Sequence, residues 1–188
     1  MLFSLLPCIN NVQRNEKKRN GQLKMLYICK TYNGHQFMAN TYTQLFTHIV
    51  FHTKITGITM RVEDLNRVFE YIGGIIREEG AIPFAVGGVE DHIHILTTLP
   101  KTVALADFVR AIKAKSSKWL KNIDSYYDIF QWQEGYGAFS VSPSLMERTK
   151  KYIFGQAEHH KTKSYREEYG ETLKAYGINY DERYAFCD

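Results

Sequence analysis

Long apolar stretches and paired cysteines are both missing from this sequence. The apolar opening MLFSLLPCI has no basic segment before it and is far shorter than the about 20 residues that cross a bilayer, so we expect neither a targeting segment nor a membrane span. Cys8, Cys29 and Cys187 are scattered, without the spacing of a zinc finger or a disulfide framework. These absences favour a protein of the reducing cytoplasm that has no membrane partner.

A strong overall charge is missing as well. The net charge of +4 divides into six basic and one acidic side chain over residues 1–37, and eighteen basic and nineteen acidic side chains over residues 38–188. The total therefore says little about a partner. The local distribution says more, because residues 101–163 carry eleven basic against six acidic side chains and could line a phosphate-binding face.

The chain does contain enough apolar residues for a core, since 44% of its 188 residues are hydrophobic. That length and composition predict one ordered domain. The first 37 residues differ from the rest, because NNVQRNEKKRNGQ is polar and has no periodic pattern, and Met38 offers a second possible start. We expect residues 1–37 to be a poorly ordered, dispensable extension and residues 38–188 to be the functional domain.

Periodic apolar residues predict a regular series of elements after that extension. Strands are predicted at 41–53, 82–89, 92–98 and 131–141, and helices at 62–79, 103–121, 143–160 and 164–177. The order β-α-β-β-α-β followed by helices predicts an α+β fold of the split, ferredoxin-like type. In this fold a four-stranded antiparallel sheet carries two helices on one face, which leaves the other face for a site.

The sequence Asp91-His92-Ile93-His94 is the first candidate for chemistry. Side chains alternate along a strand, so both imidazoles project from one face while Ile93 anchors the other face in the core. Two imidazoles on a rigid strand suit a metal ion, although two partly buried histidines of a sheet would show the same pattern. The string HIHIL also resembles the histidine-triad nucleotide hydrolases, but Leu96 stands where a third histidine would be needed.

A metal centre needs a further donor, and the helix predicted at 143–160 offers one. Tyr152 and Gln156 are four residues apart, which places them one turn apart on the same face of a helix. One side chain could attack a substrate while the other binds the metal. The alternative is a half-buried packing tyrosine and an ordinary surface glutamine. His159 and His160 follow closely, and nothing in the sequence shows that either is a general base.

Three motifs together resemble a known family over about residues 41–160: the strand DHIHIL, the strand WQEGYGAFSVS and the helix K-K-Y-I-x-x-Q. In this order they are similar to the single-tyrosine HUH transposases, the IS200-like and repeat-associated transposases that act on single-stranded DNA. The resemblance implies that His92, His94 and Gln156 bind Mg²⁺ or Mn²⁺. It also implies that Tyr152, on the C-terminal helices, is the nucleophile that forms a 5′-phosphotyrosine.

The same resemblance implies a single-stranded DNA hairpin as substrate, a homodimer as the assembly, and a cytoplasmic protein that joins the nucleoid when it is bound to DNA. Basic side chains could follow the DNA backbone and aromatic rings could stack on unpaired bases, unless the former are a solvated helix face and the latter belong to the core. The candidates are Arg110, Lys113, Lys118, Lys150, Lys151, Trp132 and Tyr136.

Three functions remain open on the sequence. The first is a metal-dependent DNA strand-transferase, which the complete set of His92, His94, Tyr152 and Gln156 favours. The second is a non-catalytic or domesticated protein that binds DNA hairpins and derives from such an enzyme. The third is a phosphohydrolase of small nucleotides, which the missing third histidine disfavours.

Overall fold

The computed structural model describes residues 42–54 and 57–185. The predicted extension at 1–37 lies outside the described residues, and so does residue 41, at which the first strand was expected to begin. None of the described helices combines the length and the apolar character that crossing a membrane requires.

Four strands form one antiparallel sheet in the order β2-β3-β1-β4. They are β1 (Phe46–His52), β2 (Pro83–Gly88), β3 (His92–Thr98) and β4 (Gly137–Val141). The two central strands, β1 and β3, are rich in β-branched and aromatic residues and are almost wholly buried, as expected of strands covered on both faces. The predicted split β-α-β-β-α-β arrangement is confirmed.

Helices α1 (Leu65–Glu78) and α2 (Leu105–Ile123) cover one face of this sheet, and a short 3-10 turn (Val62–Asp64) precedes α1. Both helices place an apolar stripe at helical spacing against the strands. Every residue of the central core cluster is buried, and among its largest contributors are Ile49, Phe51, Ile72, Ile76, Ile93, Ile95, Phe108 and Ile112. Burial of this kind contributes about 1.5–3 kcal/mol for each large apolar side chain, so this layer supplies most of the stability.

The fourth strand begins later than predicted, at Gly137 instead of residue 131. Residues 131–136 meet the end of β1 through an isolated Thr53–Trp132 bridge instead of a continuous ladder. Gln133 N donates to His52 O, Lys54 N donates to Gln131 O, and His52 N donates to the side-chain oxygen of Gln133. The ammonium group of Lys113 donates to the carbonyl oxygens of residues 133–135. The Lys113 side chain thus provides the hydrogen bonds that these carbonyl oxygens would otherwise need from a neighbouring strand. Residues 131–136 can therefore lie outside the sheet.

The predicted continuous helix over 143–160 is also wrong. A 3-10 turn (Pro143–Leu145) leads into α3 (Met146–Phe154), which ends at Gly155, and a short α4 (Gln156–His159) follows. The Gly155 N–H is shared between the carbonyls of Lys151 and Tyr152, and its ψ of 5° departs from helical geometry. The interruption changes the direction of the chain just before Gln156.

The face of the sheet that carries His48, His52, His92 and His94, called here the histidine face, is covered in two places. Helix α3 packs there through a cluster of Phe46, Ala85, Leu96, Val141, Met146 and Ile153. Helix α5 (Tyr165–Ala175), which begins with a capping box of Ser164 and Glu167, packs through Leu173 against Val50 and Phe139. A last short helix, α6, spans Glu182–Ala185. The expected open face is therefore reduced to the region between α3 and α5.

Candidate metal centre

Strand register brings four histidines onto the histidine face. His92 and His94 alternate with Ile93 and Ile95 along β3, and the two isoleucines are fully buried in the core on the opposite face, as predicted. On the neighbouring strand, His52 pairs with His92, and His48 pairs with Leu96, two residues beyond His94. His92 is 0% and His94 is 3% exposed, so both imidazoles are withdrawn from solvent.

Each of the two central imidazoles is held through its Nδ1 atom. His92 Nδ1 donates to the Asp91 carboxylate at 2.6 Å, and His94 Nδ1 lies 2.9 Å from Nε2 of the buried His48. His94 Nε2 is buried without a hydrogen-bond partner. A proton on His94 Nε2 would be a buried N–H without an acceptor. The proton is therefore assigned to Nδ1, which donates to His48 Nε2. In this tautomer, His94 Nε2 carries a free lone pair, as a metal ligand does.

The electrostatic environment keeps His48 and His94 neutral. Burial lowers the pKa of His48 to about 4. Burial also lowers the pKa of His94 well below its ordinary value, and the neighbouring histidines lower this pKa further. Burial opposes ionisation of Asp91, but the hydrogen bond to His92 lowers the pKa of Asp91 overall. A neutral imidazole oriented by a carboxylate or by a second imidazole is the form in which histidine binds a metal.

Gln156 enters the same site from α4 despite the break at Gly155. Its side chain is 1% exposed, its Oε1 lies 3.1 Å from His92 Nε2, and its Nε2 donates to Glu168 Oε1 at 2.9 Å. Gln156 therefore lies beside the histidines, as expected from the sequence. Tyr152 and Gln156 are nevertheless on two separate helices and not on one continuous helix.

Glu168 was missed in the sequence. It lies on α5, is 3% exposed, and its carboxylate oxygens lie 3.5 Å from His94 Nε2 and 3.8 Å from His92 Nε2. One donor atom from each of these three side chains lies within 4.8 Å of the other two. Burial raises the pKa of Glu168 to about 7, and His92 opposes this rise. The available signal was a carboxylate on the inward stripe of α5, between Tyr165 and Leu173.

Tyr152 projects from α3 to the edge of this cluster. Its half-buried ring stands edge-on to His94, with 5.6 Å between the ring centroids, and to His48 at 6.1 Å. The ring of His159 also contacts the ring of Tyr152, with 5.8 Å between the centroids. His159 Nε2 is buried without a hydrogen-bond partner. The structure thus brings the predicted tyrosine to the predicted histidines and places a free imidazole nitrogen beside it.

A second tyrosine also reaches the cluster. The ring of Tyr165, at the start of α5, lies 4.9 Å from that of His92 and 5.0 Å from that of His52. Burial raises the pKa of Tyr165 above its ordinary value, which disfavours the phenolate. No sequence pattern singled out this tyrosine, because it lies beyond the matching motifs.

A glycine sets the distance between α3 and the sheet. Gly87 of β2 pairs with His94, and a Cβ atom at Gly87 would lie 2.7 Å from the carbonyl oxygen of Ile153. Real Cβ atoms do not approach backbone so closely. Any larger residue at position 87 would therefore displace the turn of α3 that carries Tyr152.

The predicted DNA contacts are scattered around the fold. Lys113 is engaged with backbone carbonyls, and burial lowers its pKa to about 8. Trp132 is 8% exposed and donates from its indole N–H to Ser116 Oγ at 2.9 Å, so its ring belongs to the core. Tyr136 is half-buried near the Lys113 ammonium group. The others lie toward solvent: Arg110 is paired with Asp107, Lys150 with Glu147, and Lys118 and Lys151 are exposed.

The histidine face of this four-stranded antiparallel sheet carries two buried histidines with a tyrosine beside them. Comparison with known protein families assigns this arrangement to a class of enzymes. The family model described as "Transposase IS200 like" matches residues 41–156. This chain belongs to the IS200-like transposase family, whose members are DNA-recombining enzymes. No curated protein matches the chain significantly.

Two solved structures resemble the fold. One is a candidate transposase from Deinococcus radiodurans R1, which is 19% identical, with a TM-score of 0.50 over 65% of this chain and 98% of that chain. The other is a REP-associated tyrosine transposase bound to a REP hairpin, which is 13% identical, with a TM-score of 0.48 over 67% of this chain and 74% of that chain.

Proposed function

We propose that this chain cleaves and rejoins single-stranded DNA through a 5′-phosphotyrosine on Tyr152, next to a divalent metal ion held by His92, His94 and Gln156. The observation that carries the proposal is the contact between the Tyr152 ring and His94, whose buried Nε2 has no hydrogen-bond partner. Membership of a transposase family supports DNA as the substrate.

The residues fit a divalent cation, because two buried imidazoles and an amide oxygen converge and one nitrogen is left without a hydrogen bond. Mg²⁺ or Mn²⁺ bound there would withdraw charge from a non-bridging phosphate oxygen and so activate the phosphorus. Asp91 and His48 hold the two imidazoles in the required orientation.

The covalent step is a transesterification carried out by Tyr152. Its phenolic oxygen forms a bond to phosphorus as the bond from phosphorus to the 3′-oxygen breaks, so the 5′-phosphate becomes attached to the protein and a 3′-OH is released. Tyrosine is protonated near pH 7, so a base has to accept the phenolic proton. His159 is better placed than His48 to do so, since His159 Nε2 is free while His48 Nε2 is engaged with His94. Attack by a 3′-OH on the phosphotyrosine reverses the reaction.

The proposed substrate is a single-stranded DNA hairpin, bound in the cytoplasm by a homodimer. Of the predicted contacts, Lys118 and Lys151 are exposed, and they are the best placed to follow a phosphate backbone. Trp132 is the least suited to stack on a base because of its burial.

The decisive experiment is covalent capture. The full chain is incubated with a labelled single-stranded hairpin and Mn²⁺, and the products are separated under denaturing conditions. We expect a protein-DNA adduct attached through the 5′-phosphate, which Tyr152→Phe eliminates while hairpin binding persists. Tyr165→Phe is the matched control, because it removes the other phenol beside the histidines, and it should leave the adduct intact.

The possible results separate the three functions. An adduct that survives in Tyr152→Phe but disappears in Tyr165→Phe would move the nucleophile to α5 and contradict the assignment. Hairpin binding without any adduct would indicate a non-catalytic, domesticated protein. Hydrolysis of small nucleotides without an adduct would indicate a phosphohydrolase, although Leu96, at the position of the missing histidine, is fully buried in the apolar cluster under α3.

Metal dependence is tested on the histidines themselves. We expect His92→Ala and His94→Ala to abolish Mg²⁺- or Mn²⁺-dependent cleavage while circular dichroism shows an unchanged fold, because each variant removes one ligand and neither histidine belongs to the apolar clusters. Cleavage at the full rate in EDTA would contradict the metal mechanism.

A further inference from the structure

Glu168 is a buried carboxylate without a conventional partner. It lies on α5, beyond the residues that match the family model, and only 3% of it is exposed. Its ion-pair partners in the described part of the chain are all histidines: His92, His94 and His160. A buried carboxylate that no lysine or arginine compensates is costly unless a cation lies beside it.

The nearest atoms of Glu168 and of the two strand histidines face one another without a hydrogen bond. Asp91 and His48 hold the Nδ1 sides of the two rings, so the Nε2 atoms of both rings lie on the side of the carboxylate. The separations are 3.5 Å from His94 Nε2 and 3.8 Å from His92 Nε2. Two ligands that share a cation at about 2.1 Å lie about 3.0–3.5 Å apart, so these spacings are close to those of a common metal ion.

The carboxylate is also fixed in place as metal ligands are. Gln156 donates to Oε1 at 2.9 Å and His160 Nε2 donates to Oε2 at 2.5 Å, which leaves lone pairs on both oxygens directed at the histidines. Such hydrogen bonds orient a ligand before the metal arrives.

We propose that Glu168 is a direct ligand of the metal ion and completes with His92, His94 and Gln156 a centre of four protein donors. This inference rests on the proposed metal-dependent function. The added carboxylate gives the site one negative charge and a hard oxygen donor, which favours Mg²⁺ and Mn²⁺ over the softer ions that two imidazoles and an amide would accept. The last large helix thus belongs to the metal centre.

Metal affinity tests the inference without any measurement of activity. Isothermal titration of the full-length, metal-free protein with Mn²⁺ is compared for wild type, Glu168→Gln and Glu171→Gln, and circular dichroism checks each fold. Glu171 is the matched control, because it lies three residues along α5, is exposed and pairs with Lys163. We expect Glu168→Gln to weaken Mn²⁺ binding at least about tenfold, the lower end of what loss of an outer-shell group costs. A smaller loss overturns the inference.

Direct ligation is distinguished from support of Gln156 by a spectroscopic substitution. In Glu168→Cys, a thiolate bound to Co²⁺ gives a sulfur-to-metal charge-transfer absorption in the near ultraviolet. We expect this band in Glu168→Cys and not in wild type or Glu171→Cys. If Co²⁺ titrates into Glu168→Cys without the band, residue 168 is not a ligand and the inference fails.

Failure of this inference is separable from failure of the proposed function. His92→Ala is titrated beside the glutamate variants. If His92→Ala loses Mn²⁺ binding and Glu168→Gln does not, the metal centre stands and Glu168 is excluded from it. If His92→Ala binds Mn²⁺ as wild type does, the proposed metal site itself is wrong.

Discussion

His48 shows how one buried histidine sets the tautomer of another. Its ring is stacked on that of His94 with 5.1 Å between centroids, and its Nε2 accepts the Nδ1–H of His94 at 2.9 Å in the tautomer assigned above. Burial lowers the pKa of His48 to about 4, so it remains a neutral acceptor at physiological pH. His94 consequently keeps its lone pair on Nε2, where the metal is proposed to bind.

We expect His48→Phe to lower Mn²⁺ affinity about 10- to 100-fold, the range measured when an outer-shell partner of a ligand is lost. Phenylalanine fills a similar volume but accepts no hydrogen bond, so His94 can adopt the other tautomer. Titration calorimetry measures the affinity. His48→Gln restores an acceptor and should recover part of it. Equal affinity in wild type and His48→Phe would show that His48 only packs against His94.

At the scale of elements, the close approach of α3 to β2 decides where Tyr152 lies. Ile153 packs on the histidine face beside Leu96 and Ala85, and its backbone carbonyl rests over Gly87. Tyr152 is the neighbouring residue on that turn, so its ring can reach His94 only while the turn remains packed on the sheet.

We expect Gly87→Ala to destabilise the fold by about 1–3 kcal/mol, the usual cost of overpacking, and to reduce adduct formation. The added Cβ meets backbone 2.7 Å away and pushes the turn of α3 outward. Chemical denaturation and the covalent capture assay measure the two effects.

Gly74→Ala is the control, since a Cβ at Gly74 meets nothing within 4 Å and the residue lies inside α1. It should leave the adduct unchanged and stabilise the fold by about 0.4–1 kcal/mol. If Gly87→Ala matches this control in stability and in adduct yield, α3 is not held as described.

On the scale of the whole molecule, the sheet lies between two layers of helices that have different roles. Helices α1 and α2 and the inner face of the sheet form the large apolar core, while α3 and α5 frame the histidine face through two smaller clusters. Every residue of these three clusters lies at position 46 or later. Within residues 42–54 and 57–185, the apolar clusters and the site therefore belong to the same sheet and its helices.

We expect a chain that begins at Met38 to unfold at the same denaturant concentration as the full chain and to retain hairpin binding, because the three described clusters remain complete. Urea denaturation and a DNA-binding titration measure both. A chain that begins at Phe51 is the negative control, since it removes most of the central strand β1 and should not fold. Loss of folding or of DNA binding in the Met38 chain would show that residues 1–37 are required.

The sequence by itself determined the order of the elements and the same-face placement of His92 and His94, because the period of a strand is set by each residue's own neighbours. It also predicted Tyr152 and Gln156 as partners in the site. Short-range periodicity could not show the break at Gly155 or the late start of β4, since both depend on hydrogen bonds that the chain satisfies elsewhere.

Only the tertiary structure placed His48 and Glu168. His48 lies 46 residues before His94 and meets it through strand pairing, and Glu168 lies 74 residues after His94 and reaches it because Leu173 seats α5 on Val50 and Phe139. A histidine in a strand and a glutamate in an amphipathic helix look ordinary in sequence. Their roles arise from which faces pack together, and that is decided by long-range burial of apolar surface, which no local pattern encodes.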